Sequence, residues 1–299
     1  MNIKKKMLLY IGLTILLILW FIFSNSIIAK LSSSTPLETF DFNMANSTST
    51  GRYDIRTEYL GGFTDTFITS GWAYCESDDP QDKKPVSIIF RNPSVSYAAT
   101  STTVSTLEAT AVFGYSTDRT YRFAHSFSLL SLPDGTYDLY LYCKENDQDT
   151  MLVNLQTRMK REGRTFSQTE ESPLVKESQI LLEQSSAVHM DLNTTLEQSD
   201  GLLTSQGWIF CESKPSLHQN VYICVHCNGK KDIYWAQSIS RQDVVDVFGN
   251  PDYLQSGFRF SIPAEQYEDK TFSIETIVEI DDVYYTNGQL YEVTIIQPQ

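Results

Sequence analysis

Positive charge is scarce in this chain. Its 299 residues include 23 Lys and Arg against 37 Asp and Glu, a net charge of −14. Nucleic-acid binders neutralise phosphate with Lys and Arg, so no nucleic-acid partner is expected. Histidine and cysteine are also few, at 4 and 5 copies, which leaves little material for a metal cluster. No metal and no cofactor is expected. The recurrent catalytic signatures are missing too: there is no Gly-x-Ser-x-Gly, His-Glu-x-x-His, phosphate loop or dinucleotide fingerprint. The expectation is a protein that is not an enzyme. Apolar residues are present in ordinary amount, 41%, so packed cores can form and global disorder is excluded. The length suits roughly two domains.

One long apolar run stands at the start. Lys4, Lys5 and Lys6 precede residues 7–29, which are apolar apart from Ser24, Asn25, Ser26 and a few other small or polar positions. A helix over those residues spans ~34 Å at 1.5 Å per residue, enough for a hydrocarbon core of ~30 Å. The lysines keep that end in the cytoplasm and place the remainder outside. A cleaved signal peptide is the alternative, but it usually has a shorter apolar region and a better small-x-small site than Ile27-x-Ala29. The expectation is a signal anchor over residues 1–30, a Ser/Thr-rich stalk over 31–51, and an extracytoplasmic remainder. Four of the 23 bases lie in residues 1–30, so the exported part carries 19 bases against 37 acids, a net −18.

That exported part repeats itself. Gly71-Trp72-Ala73-Tyr74-Cys75-Glu76-Ser77 recurs as Gly207-Trp208-Ile209-Phe210-Cys211-Glu212-Ser213. Phe113-Gly114 recurs as Phe248-Gly249, and Tyr121-Arg122-Phe123 as Phe258-Arg259-Phe260. Matches in one order at a nearly constant offset predict two tandem domains, 52–165 and 187–299, with a linker at 166–186.

Each copy reads as β structure. Tyr137, Leu139, Leu141 and Cys143 alternate with Asp138, Tyr140, Tyr142 and Lys144, and Phe272, Ile274, Thr276 and Val278 alternate in the second copy. A period of two puts the named apolar sets on one sheet face, inward. Asn228-Gly229 predicts a tight hairpin. Ser105-x-x-Glu108 and Ser240-x-x-Asp243 have the form of a helix N-cap, with Gly114 and Gly249 as the stops. One short helical turn per domain is expected, with Val112-Phe113 and Val247-Phe248 packed inward.

The second copy carries Gly207-Trp208, then Arg241-Gln242-Asp243-Val244, then Ser256-Gly257-Phe258-Arg259-Phe260-Ser261-Ile262. This resembles immunoglobulin-like β-sandwich modules of bacterial envelope-anchored and surface proteins. The first copy keeps Gly71-Trp72 but has Thr106 in place of Arg241. The resemblance implies an all-β fold of two tandem immunoglobulin-like sandwiches after a membrane helix, and a spacer, adhesive or glycan-associated role. Fold alone does not fix function.

Several side chains are candidates for more than packing. Cys75 and Cys143 are a candidate disulfide, with buried thiols as the alternative, since Val278 stands opposite Cys143 in the second copy. Cys224-Val225-His226-Cys227 has the look of half a zinc knuckle, but residues three apart on a strand face opposite sides and no second Cys-x-x-Cys exists. Strand packing is the expected role. Trp72 and Trp208 occupy equivalent positions and are expected in the core. Tyr234 and Trp235 have Ala99 and Thr100 as counterparts, so one of them is a candidate exposed ring for a sugar or a protein partner. The function expected is a non-catalytic tethered spacer or binding module for envelope glycan or a membrane protein partner. The alternatives are an accessory subunit of an envelope polysaccharide assembly or export complex, and a glycan hydrolase, which needs two carboxylates across a cleft.

Overall fold

A computed structural model describes residues 13–15, 37–45, 51–61, 65–75, 85–102, 104–105, 120–144, 150–175, 182–212, 214–267 and 270–296. The expected membrane segment lies outside them except for residues 13–15. Among the described residues no helix is long and apolar enough to cross a membrane. Glu108 and Gly114 also lie outside.

Among the described residues the fold is β, with short helices only. In chain order the first half holds β1 (Leu37–Thr39), β2 (Gly51–Gly61), β3 (Thr66–Cys75), β4 (Pro85–Arg91), β5 (Ser96–Thr102), β6 (Val104–Ser105), β7 (Thr120–Ser128), β8 (Gly135–Lys144), β9 (Thr150–Glu162) and β10 (Thr165–Gln168). Next come β11 (Leu174–Val175), β12 (Leu182–Gln184), β13 (Val188–Leu192), β14 (Thr195–Ser199), β15 (Leu202–Cys211), β16 (Asn220–Cys227), β17 (Lys230–Trp235) and β18 (Gln237–Ile239). Helix α1 (Gln242–Phe248), β19 (Gly257–Pro263), α2 (Ala264–Tyr267), β20 (Phe272–Ile280), β21 (Val283–Thr286), β22 (Tyr291–Glu292) and β23 (Thr294–Ile296) complete the chain.

The first unit packs the sheet β1-β5-β4-β8-β9-β10 against β2-β3-β7-β6. Val86, Ile88 and Phe90 of β4 and Tyr137, Leu139, Leu141 and Cys143 of β8 meet Phe67, Ala73, Phe123 and Phe127 of the facing sheet. Each large apolar side chain buried there contributes about 1.5–3 kcal/mol. The second unit repeats the pattern. β17-β16-β20-β21 mirrors β5-β4-β8-β9, and β13-β15-β19-β18 mirrors β2-β3-β7-β6. Phe272, Ile274, Thr276 and Val278 are buried inward, as their alternation predicts. Asn228 and Gly229 both take positive φ, which closes the two-residue hairpin between β16 and β17.

The shared Gly-Trp pair has one physical explanation in both units. A Cβ on Gly71 would stand 2.0 Å from the Asp54 carbonyl oxygen, and one on Gly207 2.3 Å from that of Asp191. In each unit the neighbouring strand runs too close for a side chain. Trp72 and Trp208, one residue on, point away from the inter-sheet core and are half-buried, a correction to their expected core place.

Two segments expected to be connectors are partly built into the sheets. In the stalk, β1 pairs with β5, and Phe42 and Ala45 are buried against Ile89 and Tyr140. In the linker, β10 pairs with β9, β11 with β17 and β12 with β21. Phe166 enters the first core. Apolar side chains within a polar stretch find a sheet edge and an open face to cover.

The two units meet through the outer face of the β4-β8-β9 layer. Arg158 is buried, and its Nε and Nη2 donate to Asp138 Oδ1 and Oδ2 at 2.7 and 3.0 Å. Its guanidinium lies 4.3 Å from the Trp235 ring centre, and Nη1 donates to the Trp235 carbonyl at 3.1 Å. Asn154 Nδ2 donates to the Ser238 carbonyl at 2.8 Å. Arg91 covers the Phe42 ring at 4.2 Å and donates to the His218 carbonyl at 3.1 Å.

Candidate functional site

Trp235 is only 2% exposed and Tyr234 is equally buried. Trp235 lies beneath Arg158, as described above. The Tyr234 hydroxyl is within hydrogen-bond distance of Tyr267 Oη at 2.9 Å, inside the second core. Neither offers a ring face to a ligand. The expectation of an exposed aromatic at this pair is corrected: the first unit covers Trp235, and α2 covers Tyr234.

A second aromatic cluster lies on the outer face of the β13-β15-β19 layer, with Phe210 and Tyr253 buried and Phe248 as its exposed member. Register places His189 opposite Phe210 and Asp191 opposite Trp208. The His189 and Trp208 rings stack on Phe210 at 5.3 and 5.7 Å, both nearly parallel to it. Tyr253, from the 3-10 turn Pro251–Tyr253, stacks on Phe210 at 4.0 Å. Phe248 stands edge-on above this floor, 4.9 Å from Phe210 and 5.6 Å from Trp208. Such offset and edge contacts add about 0.5–1.5 kcal/mol per pair beyond burial. His189, Phe210, Glu212, Phe248, Asn250 and Tyr253 line an open groove of about 310 Å³. That volume is at the low end for small-molecule sites. At its rim Glu212 lies 2.6 Å from His189 Nε2.

Helix α1 holds Phe248 in place. Its N-cap is Arg241 rather than Ser240, and no side chain caps the first turn. Asp243 instead accepts Arg241 Nε and Nη2 at 2.7 and 2.6 Å. Arg241 Nη1 also donates to the Gly207 carbonyl at 3.4 Å, and its stem occupies the space where Gly257 lacks a Cβ. Arg241 thus ties together the three motifs of the second copy. Its partner Asp243 has its carboxyl held below the usual range by the guanidinium. Ser240 Oγ accepts from Gln255 Nε2 at 3.1 Å. Gly249 ends the helix at φ 68°, a left-handed conformation suited to glycine. The inward packing expected of Val247-Phe248 is corrected: Val244 is buried, whereas Val247 is 77% exposed and Phe248 42%. Seven residues of helix resting on a flat sheet bury one side only.

In the first unit Trp72 is the counterpart of Trp208. Ser105 ends β6, but its side chain and residues 106–119 lie outside the described part. The candidate Cys75–Cys143 pair is in the same position: Cys143 is buried on the inner face of β8, and the Cys75 side chain is not among those described. Cys224 and Cys227 do face opposite sides of β16, since Cys227 joins the inter-sheet core and Cys224 the outer cluster with Tyr222, Ile233, Trp235 and Ile277.

These features define a class: an all-β protein of two similarly paired two-layer units, clamped together, with an aromatic groove on the outer face of the second. No protein-family model matches the chain, and no curated protein matches it. Sequence reasoning missed Phe210, Tyr253 and His189 as groove residues. The signal available was Tyr74-Phe210 beside the repeated tryptophans.

Proposed function

We propose that the chain is a membrane-tethered, extracytoplasmic, non-catalytic binding module of two tandem immunoglobulin-like sandwiches, and that the groove around Phe248 engages envelope glycan. The carrying observation is that groove. It pairs an exposed ring with a polar rim of Glu212, His189 and Asn250, which suits the apolar face and the hydroxyls of a sugar. The acidic rim and the exported charge of −18 favour a neutral or amino sugar over an anionic polymer. Among the described residues Glu212 is the one carboxylate lining the groove, which fits binding better than hydrolysis. The lysine-flanked apolar run of residues 7–29 supports the tether, and the repeated Gly-Trp pairing supports the tandem sandwiches.

The test is a glycan array probed with the full chain. Phe248→Ala should lose binding at least tenfold, measured below the variant's own melting temperature, while circular dichroism keeps the parent's β signature. Equal binding by Phe248→Ala overturns the groove as the site. A second reading, an accessory subunit of a polysaccharide assembly or export complex, draws on Val247, an apolar side chain that is 77% exposed beside Phe248 and does not line the groove. Under that reading Val247→Asp abolishes co-purification with a multi-span membrane partner and leaves glycan binding intact.

A further inference from the structure

On the outer face of β16 and β20, three side chains with metal-binding atoms converge. Cys224 lies directly opposite Glu275, and His226 is two residues further along the same strand face. Cys224 Sγ, a His226 ring nitrogen and a Glu275 carboxylate oxygen all lie within 4.8 Å of one another. His226 Nε2 is 3.1 Å from Glu275 Oε2. Tetrahedral zinc with bonds of about 2.0–2.3 Å sets its ligand atoms about 3.3–3.6 Å apart, so small side-chain rotations suffice.

We propose that Cys224, His226 and Glu275 form a binding site for a single zinc-type divalent ion, with the fourth coordination position open to solvent or an exogenous ligand. A thiolate and an imidazole select zinc or cobalt over magnesium or calcium, which prefer oxygen donors. Glu275 is 8% exposed and oriented by a second residue: Thr286 Oγ1 donates to its other oxygen, Oε1, at 3.1 Å. Such outer partners typically fix a metal ligand in place. His226 is 21% exposed and supplies the way in from solvent. The fold does not impose this trio. The matching positions of the first unit, paired in the same register, are Ile89 opposite Tyr140, with Arg91 two residues along. On binding, the Cys224 thiol gives its proton to solvent, so affinity falls as pH drops.

The test uses the full chain, reduced, stripped with chelator and titrated with Co²⁺. The expected result is one Co²⁺ per chain with a thiolate-to-cobalt charge-transfer band in the near ultraviolet, displaced by Zn²⁺. Cys224→Ser should remove the band, whereas Cys211→Ser and Cys227→Ser should keep it. His226→Gln, which removes a direct ligand at the half-buried edge, should weaken binding by more than the roughly 10–100-fold that loss of an outer partner typically costs, with circular dichroism confirming that the variant folds. Absence of the band in the parent overturns the proposal. So does a band that follows Cys211 or Cys227, or binding unchanged in His226→Gln.

Discussion

His125 is buried on the inner face of β7, beside Phe123, and among the described residues neither ring nitrogen has a hydrogen-bond partner. Burial lowers its pKa from 6.5 to about 4. The folded protein therefore refuses a proton that the unfolded chain accepts below about pH 6.5. Stability from this site is complete above that pH and is lost progressively down to about pH 4, by about 3 kcal/mol at 1.36 kcal/mol per pH unit. The second copy has Ile262 at the matching position, fully buried. His125→Ile should remove most of that loss, and urea titrations of both proteins at pH 7 and pH 4.5 measure it. An equal pH dependence in the variant would show that His125 is not the group responsible. The sequence shows a histidine two residues after Phe123 but not its desolvation, because that depends on the facing sheet.

At the scale of the element, strand alternation was legible because it is local. Tyr137 to Cys143 and Phe272 to Val278 face inward as their period of two requires. The tight approach of paired strands at Gly71 and Gly207 was legible only as a repeated motif. Its cause is a neighbouring carbonyl, supplied by Asp54 or Asp191. Gly207→Ala should destabilise by about 1–3 kcal/mol or more through overpacking, with thermal melting as the measurement. Gly201→Ala meets no atom within 4 Å and isolates the separate effect of a positive φ. Helix α1 was legible in its stop, Gly249, and misread in its start. A Ser-x-x-acid pattern fits an N-cap, but here Asp243 takes the stronger charge-assisted bonds from Arg241.

At the scale of the whole molecule, the Asp138–Arg158–Trp235 clamp joins the units. Arg158→Ala leaves Asp138 buried without its ion-pair partner and uncovers Trp235, and should cost about 3–5 kcal/mol. Trp235→Ala should also destabilise, by about 3–5 kcal/mol. Calorimetry reads both. If Arg158→Ala unfolds in one transition at the parent's temperature, the clamp contributes little. The amino-acid sequence by itself determined the β class, the repeat and the inward face of each strand, because periodicity and local propensity act within a few residues. Tertiary structure decided which outer faces are covered. It buried Trp235 under a guanidinium 77 residues away, exposed Phe248 instead, and brought Glu275 to His226 across 49 residues. Those outcomes rest on long-range contacts between sheets, which no local pattern encodes.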